Sequence, residues 1–260
     1  MAGPNDIFGM LRQALKAQIE LGTNEVILTR AQAADPLPPR EPKPVVISPA
    51  TAVGQAGLFG AVAPTTGIHA VLGEPSFGSV DSHCGAINEC QKCPLGSTRN
   101  KFVYGVGNPH ARLMLIGEAP GAQEDLQGEP FVGAAGQLLD KILAAIQLSR
   151  KEVYIANVLK CRPPNNRDPQ PSEMNECLPY LLEQIRLIQP KVLCSLGRVA
   201  AQALLQTTTP LGKLRNQWHD YHGIPMLVTF HPAALLRFPA NKRECWEDMK
   251  TLRARYDELA

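Results

Sequence analysis

The chain is predicted to be an α/β protein: a three-layer α/β/α sandwich with a central four-stranded parallel sheet, plus a mostly disordered N-terminal extension. Two observations predict it. Beyond Ala111, short apolar runs alternate with segments of helical periodicity, the pattern of strands joined by helices that cover both sheet faces. Between about Ala31 and Ser82, Pro, Ala, Gly and Thr follow one another without period, and such a stretch buries too little apolar surface to offset its ordering entropy.

The elements follow in order. Residues 6–22 place Ile7, Met10, Leu11, Leu15 and Ile19 near helical spacing, with Asp6 to cap and Gly22 to stop, so residues 1–30 are assigned a short amphipathic helix. Residues 31–82, including DPLPPREPKP, are assigned a flexible linker, and 83–260 the folded domain. Within that domain, strands are expected at 112–117, 152–160, 191–197 and 225–230, with helices at 134–148, 172–188, 198–205 and 241–259. In a parallel sheet the ligand crevice lies beyond the C-terminal strand ends. The first strand runs into GEAPGAQEDLQGEPFVGAAG, the second ends at Ala156 and Asn157, the third at Gly197, and the fourth at HPAALLR from His231. The unusual residues therefore converge on one edge.

Four of the seven cysteines, Cys90, Cys93, Cys161 and Cys177, follow the spacing C-x2-C-x67-C-x15-C. Four thiolates suit a four-iron, four-sulfur cluster and equally a structural zinc ion, and thiols also pack as small buried hydrophobes. Spacing does not choose among these. An odd count with no secretory framework argues against a disulfide scaffold. With 260 residues, 44% of them hydrophobic, the chain can bury a full core. It has no apolar run of about 18 residues to span a bilayer and no signal-like start, as expected of an intracellular enzyme. A formal charge of +2 is too small to mark a nucleic-acid binder, so any positive surface must be local.

GEAPGAQEDLQGEPFVGAAGQLLD and HPAALLR, with VLKCRPPNNRDP and the four interleaved cysteines, resemble the family 4, iron-sulfur uracil-DNA glycosylases over roughly residues 86–257. The resemblance implies a monofunctional glycosylase that releases uracil from DNA and leaves an abasic site for base excision repair. It implies one structural 4Fe-4S cluster on Cys90, Cys93, Cys161 and Cys177. It places Gly117, Glu118, Ala119, Pro120 and Gly121 in the loop whose amides face a uracil oxygen, Phe131 as the aromatic that stacks on the base, and Asn157 as the amide that reads its polar edge. His231 would face uracil O2, and Glu124 would lie beside C5, where thymine carries its methyl. The best-known branch of the superfamily has an Asp where this chain has Ala119, which leaves Glu118 and Glu124 as candidates for water positioning.

A base can reach such a pocket only by leaving the duplex. Arg162 and Arg167 in the Pro-rich loop, and Leu235, Leu236 and Arg237 after His231, are the candidates for gripping phosphate and wedging the stack. Lys213 and Arg215 fit a solvated basic surface as readily. Two alternatives differ in kind. A covalent DNA-trapping branch has Gln at the position of Ala119 and a His-containing, Arg-rich insertion, whereas residues 212–222 carry only His219 and His222 in WHDYHG. A non-catalytic iron-sulfur DNA-binding module would hold uracil-DNA without releasing uracil. Gln55-Ala56-Gly57-Leu58-Phe59 resembles a sliding-clamp-binding peptide. A cytoplasmic, nucleoid-associated monomer is expected, since one flipped base needs one pocket.

Overall fold

A computed structural model describes residues 72–259. The helix expected within 1–30, the Gln55–Phe59 segment and most of the linker lie outside these residues. The last part of the predicted linker is docked rather than loose. The Leu72 carbonyl accepts from Arg186 Nε at 2.7 Å, the Phe77 N–H donates to Glu183 at 3.1 Å, and the Phe77 ring lies 4.9 Å from that of His83. Helix α1 (Val80–Ile87) starts before residue 83, behind a Ser79/Ser82 capping box. The partners of this segment arrive a hundred residues later, so its local composition could not announce them.

The strands are β1 (Val106–Gly107), β2 (Leu113–Gly117), β3 (Tyr154–Asn157), β4 (Val192–Leu196), β5 (Trp218–Tyr221) and β6 (Ile224–Thr229). They form one six-stranded sheet in the order β1-β3-β2-β4-β6-β5. The four inner strands are parallel, as predicted. The sheet is nevertheless mixed, because β1 and β5 add antiparallel edges. β1 spans two residues and offers no periodicity to read, and β5 is mostly exposed, returning into β6 through a tight turn at His222 and Gly223.

Alternation along the inner strands divides the apolar residues between two cores. Leu113, Leu115, Ile155, Val192, Cys194 and Leu227 face α4 (Ala134–Ala145) and α9 (Lys242–Glu258) through Leu139, Leu143, Met249 and Leu252. Met114, Ile116, Ala156, Leu193, Met226 and Val228 face α5 (Pro171–Ile188) and α6 (Arg198–Leu205) through Leu181, Ile185, Ala201 and Leu204. These are the three predicted layers. Short helices α2 (Leu95–Thr98), α3 (Ala122–Gln127), α7 (Leu211–Leu214) and α8 (Pro232–Arg237) fill the connections. α5 opens with Pro171 at its first turn, where no N–H is needed, and a Gln170/Glu173 capping box. Among the described residues no helix is long and apolar enough to cross a membrane.

Arg215, considered as solvated basic surface, is buried instead. It donates from Nε and Nη2 to the two Asp248 oxygens at 2.8 and 3.1 Å, and Thr229 Oγ1 donates to the same carboxylate at 2.7 Å. This knot ties α9 to β6 and to the segment after α7. Arg215 Nη1 also donates to Glu244 at 2.5 Å, but that carboxylate is exposed, so Asp248→Ala removes the buried countercharge and leaves only the exposed one; a loss of about 3 kcal/mol of unfolding free energy is expected in urea titrations. An unchanged midpoint would show that Glu244 and water suffice for Arg215.

Candidate active site

The chain leaves β2 for β3 on one side and leaves β4 for β6 on the other, so a crevice opens beyond the C-terminal ends of β2 and β4. Along that edge lie Asn157 at the end of β3, Gly117 at the end of β2, Gly197 after β4 and His231 after β6. Asn157, Gly197 and His231 line a cavity of about 550 Å³ together with Glu118, Ala119, Glu124 and Phe131, among others, and Gly117 lies behind it against Asn157 and Phe131. The base-site residues expected from the sequence are thus gathered in one place.

Gly117 pairs with Asn157 across the parallel ladder. A Cβ at Gly117 would sit 2.4 Å from Asn157 Oδ1 and 2.6 Å from Phe131 Cζ, so only glycine lets amide and ring approach this closely. Asn157 is 2% exposed, and its Oδ1 is buried without a hydrogen-bond partner. An orphaned acceptor of this kind costs about 1–3 kcal/mol and marks a position waiting for a donor. The Phe131 ring lies 5.5 Å from that of His231, tilted by 32°, and forms the apolar wall beside Asn157.

His231 caps α8, its Nδ1 accepting from the Ala233 N–H at 3.2 Å. Nδ1 is therefore the unprotonated nitrogen, and the neutral ring carries its hydrogen on Nε2 as a donor. Burial, with Arg237 adding to it, pushes the imidazole down to about 4. Burial and the nearby Asp168 push the Glu118 carboxyl up to about 7, against the pull of Arg198 and Arg237. Glu124 is held by its Oε1, which accepts from the Val132 and Gly133 N–H groups at 2.9 Å each. Its carboxylate fastens the loop after β2 to the Phe131 loop.

The four spaced cysteines line a second cavity, with Gly96, Phe102 and Tyr180. Four donors point at their sulfurs: Tyr180 Oη and the Lys92 N–H to Cys90 at 3.2 and 3.5 Å, the Lys160 N–H to Cys177 at 3.3 Å, and Arg99 Nη1 to Cys161 at 3.5 Å. Among the described residues no group of three or more His, Cys, Asp or Glu is gathered tightly enough for a single metal ion. Four thiols around one shared cavity, with donors aimed at the sulfurs, are a donor set that fits a four-iron, four-sulfur cluster and also a structural zinc ion. Lys160, fully buried, joins the two cavities, its Nζ donating to the Asn157 carbonyl at 2.8 Å and to Gln184 Oε1.

A sequence model of the uracil DNA glycosylase superfamily matches residues 104–250, which contain the whole base-site set. The chain belongs to this superfamily. It is 44% identical over 183 residues to a type-4 uracil-DNA glycosylase of Archaeoglobus fulgidus, covering 67% of this chain and 92% of that protein. It is 42% identical to a type-4 uracil-DNA glycosylase of Saccharolobus solfataricus, over 64% of this chain and 82% of that one. A type-5 uracil-DNA glycosylase of Thermus thermophilus is 36% identical over a shorter stretch, 40% of this chain and 53% of its own.

Around this superfamily pocket the expected rim residues divide. Arg167 and Arg237 line the cavity, although Arg167 already grips both oxygens of buried Glu173 at 2.9 and 2.6 Å. Arg162 does not line it and bonds Asn166 Oδ1 at 2.8 Å. Leu235 is 1% exposed and belongs to the core beneath α8. It cannot wedge a base stack. The exposed apolar residues here are Leu236 and Phe238, at 45% and 61%. Sequence reasoning missed Asp168 and Arg198, which line the cavity and pair with each other at 2.8 Å. Arg198 follows the end of β4 directly and was open to the same strand-end rule; Asp168, in an irregular loop, gave no local signal.

The His231 geometry has a spectroscopic consequence. A lowered folded-state value means that the ring withholds the proton an unfolded histidine takes up below 6.5. The stability contribution is then unchanged above 6.5 and declines as pH falls toward about 4. Nitrogen-15 spectra of histidine-labelled protein are expected to show His231 neutral and protonated on Nε2 at pH 6. A His231 signal titrating near 6.5 would refute the buried, N-capping imidazole.

Proposed function

We propose that the protein is a monofunctional uracil-DNA glycosylase, which hydrolyses the N-glycosidic bond of a flipped-out deoxyuridine, releases uracil and leaves an abasic site in base excision repair. The observation that carries this is the orphaned Asn157 Oδ1, set beside an aromatic wall and a neutral imidazole donor. Uracil presents N3–H as a donor and O4 as an acceptor, matching the two ends of one amide. Cytosine presents the reverse pattern, and a buried mismatch costs about 1–3 kcal/mol. Phe131 stacks on the base, and the Glu124 carboxylate, pinned by its two backbone bonds, occupies the space that the thymine methyl would need.

As the C1′–N1 bond breaks, its electron pair passes to uracil N1 and spreads to O2, while positive charge builds on the sugar. His231 Nε2–H and the amides of the Gly117–Gly121 loop donate to O2. They strengthen as charge develops, which lowers the barrier more than it tightens ground-state binding. A neutral imidazole suits this role, because it stabilises the anion without needing to protonate it. Water adds to C1′ and gives up its proton; Glu118, at the cavity wall, is the carboxylate we assign to orient it and accept that proton.

The cysteine-lined cavity is read as the seat of one structural 4Fe-4S cluster held by Cys90, Cys93, Cys161 and Cys177. Cys90 and Cys93 before α2, Cys161 after β3 and Cys177 in α5 would hold it, and a cluster so held would cross-link these three segments; because the hydrolysis transfers no electrons, its role would be structural. The buried Lys160 ammonium supports this assignment. Its Nζ partners are neutral oxygens and its own backbone N–H donates to Cys177 Sγ at 3.3 Å, so thiolates holding a cluster would supply the countercharge a buried cation needs. DNA is the macromolecular partner, with Arg237 and Arg198 at the cavity rim to meet phosphate. One chain carries the whole pocket, so we assign a monomer acting on DNA in the cytoplasm, at the nucleoid. The Gln55–Phe59 segment remains a candidate clamp ligand. Covalent trapping is disfavoured because neither His219 nor His222 lines the cavity.

Incubating a labelled single-uracil oligonucleotide with the protein in EDTA, then adding alkali, tests the activity directly. Scission only after alkali is expected, reduced on the order of 10²-fold or more in Asn157→Ala and His231→Ala; a complex that survives denaturation would point to trapping, and binding without release to a non-catalytic module. The single-turnover rate should rise with pH as Glu118, at about 7 in the DNA-free protein, ionises, with its midpoint moved upward by the bound phosphates, and Glu118→Gln should flatten it. A slope that persists in Glu118→Gln would free this carboxyl of the role.

The cluster has its own check. Cys161→Ser is expected to lose iron and visible absorbance and to melt several degrees lower, with the Arg162 loop more open to protease. An iron-free Cys161→Ser protein of wild-type stability and activity would remove the cluster from the structural account.

A further inference from the structure

Phe131 adopts φ +55°, a left-handed conformation that a bulky aromatic residue holds only when its surroundings over-determine it. The restraint comes largely from outside the cavity. Arg150, in the segment after α4, donates from Nη2 to the Pro130 carbonyl at 2.7 Å and from Nη1 to the Phe131 carbonyl at 3.0 Å. Those two carbonyls belong to the peptide planes on either side of the Phe131 Cα. A planar guanidinium that grips both planes fixes the two torsions between them, and with them the direction in which the side chain leaves the backbone. Asp140 Oδ1 accepts from the same Nη1 at 3.1 Å and steadies the fork.

Two further contacts leave the loop no slack. A Cβ at Gly136 would lie 1.7 Å from the Phe131 carbonyl oxygen, so the first turn of α4 presses against this peptide only because residue 136 is glycine. Glu124 takes the next two N–H groups, of Val132 and Gly133. Of these restraints, Arg150 alone acts on both peptides that flank Phe131.

We infer that Arg150, which does not line the cavity, is a positioning residue for catalysis: it clamps the Pro130 and Phe131 carbonyls and so sets the plane of the ring on which the base stacks. The inference rests on the stacking role proposed for Phe131. Lysine would keep the charge but, as a point donor, could not hold both peptide planes in one fixed geometry.

The test is a double-mutant cycle on uracil release from a single-stranded oligonucleotide, which removes duplex opening from the rate. Arg150→Met, Arg150→Lys, Phe131→Ala and the Arg150→Met/Phe131→Ala pair are compared, with urea denaturation to establish the folded fraction of each. Arg150→Met is expected to lower kcat on the order of tenfold with KM within about twofold, Arg150→Lys to recover part of that loss, and the double variant to be no slower than Phe131→Ala alone. If the two losses multiply instead, or if Arg150→Met or Arg150→Lys releases uracil at the wild-type rate while Phe131→Ala is slow, Arg150 does not act through the ring. If Phe131→Ala itself is as fast as wild type, the stacking role fails and the inference falls with it. Should Arg150→Met not fold, the cycle is run with Arg150→Lys and judged by the same comparison.

Discussion

The pocket depends on the register between β2 and β3. Gly117 is opposite Asn157 in the parallel ladder, so the glycine that opens the first loop and the amide at the strand end are fixed by the same backbone hydrogen bonds that hold the sheet. A slip of one residue would turn Asn157 to the other face of the sheet. With the register set, the absent side chain at Gly117 becomes the space in which Asn157 Oδ1 and the Phe131 ring meet. The apolar cores on both faces of β2 and β3 therefore stabilise the fold and the site through one set of contacts.

The same economy governs the charges. An enzyme that expels an anion needs donors near the departing base, yet a fixed cation deep in the pocket would itself be costly to bury. Here the deep donor is a neutral imidazole whose tautomer is set by the α8 cap, while the guanidinium groups of Arg237 and Arg198 stay at the exposed rim. Beyond the effect of burial, Arg237 helps keep His231 neutral, and both arginines temper the rise in the Glu118 value. DNA phosphates approaching that rim would offset the arginine charge and draw both groups toward their protonated forms, so pH dependence with and without DNA need not coincide.

Much of this was legible in the sequence because it is periodic or lies at strand ends. The four inner strands are short apolar runs and the long helices repeat at helical period, while Gly117 and Asn157 end strands and His231 follows one. What was hidden depends on distant partners. The stretch from Leu72 to Ser82 reads as linker until α5 supplies Glu183 and Arg186. Arg215 reads as surface until Asp248 arrives from the last helix. Leu235 and Leu236 are adjacent and chemically identical, and only the orientation of α8 makes one core and the other exposed. Arg150, nineteen residues from the loop it clamps, has no motif at all.

Lys160 gives a physical reason for the cysteine-lined cavity to matter to the base site. Asn157 presents an unpaired side-chain acceptor to the pocket, so the position of its backbone matters to the site. Lys160 holds that backbone by donating to the Asn157 carbonyl, but an ammonium buried this completely is itself unstable without an anion. Carboxylates are absent from its immediate hydrogen bonds, and its own backbone N–H points at Cys177 Sγ. A cluster held by Cys161 and Cys177 would bring the missing negative charge to the place where the strut needs it. On that account such a centre would be structural, a support behind the base site that acts through one lysine and one peptide carbonyl.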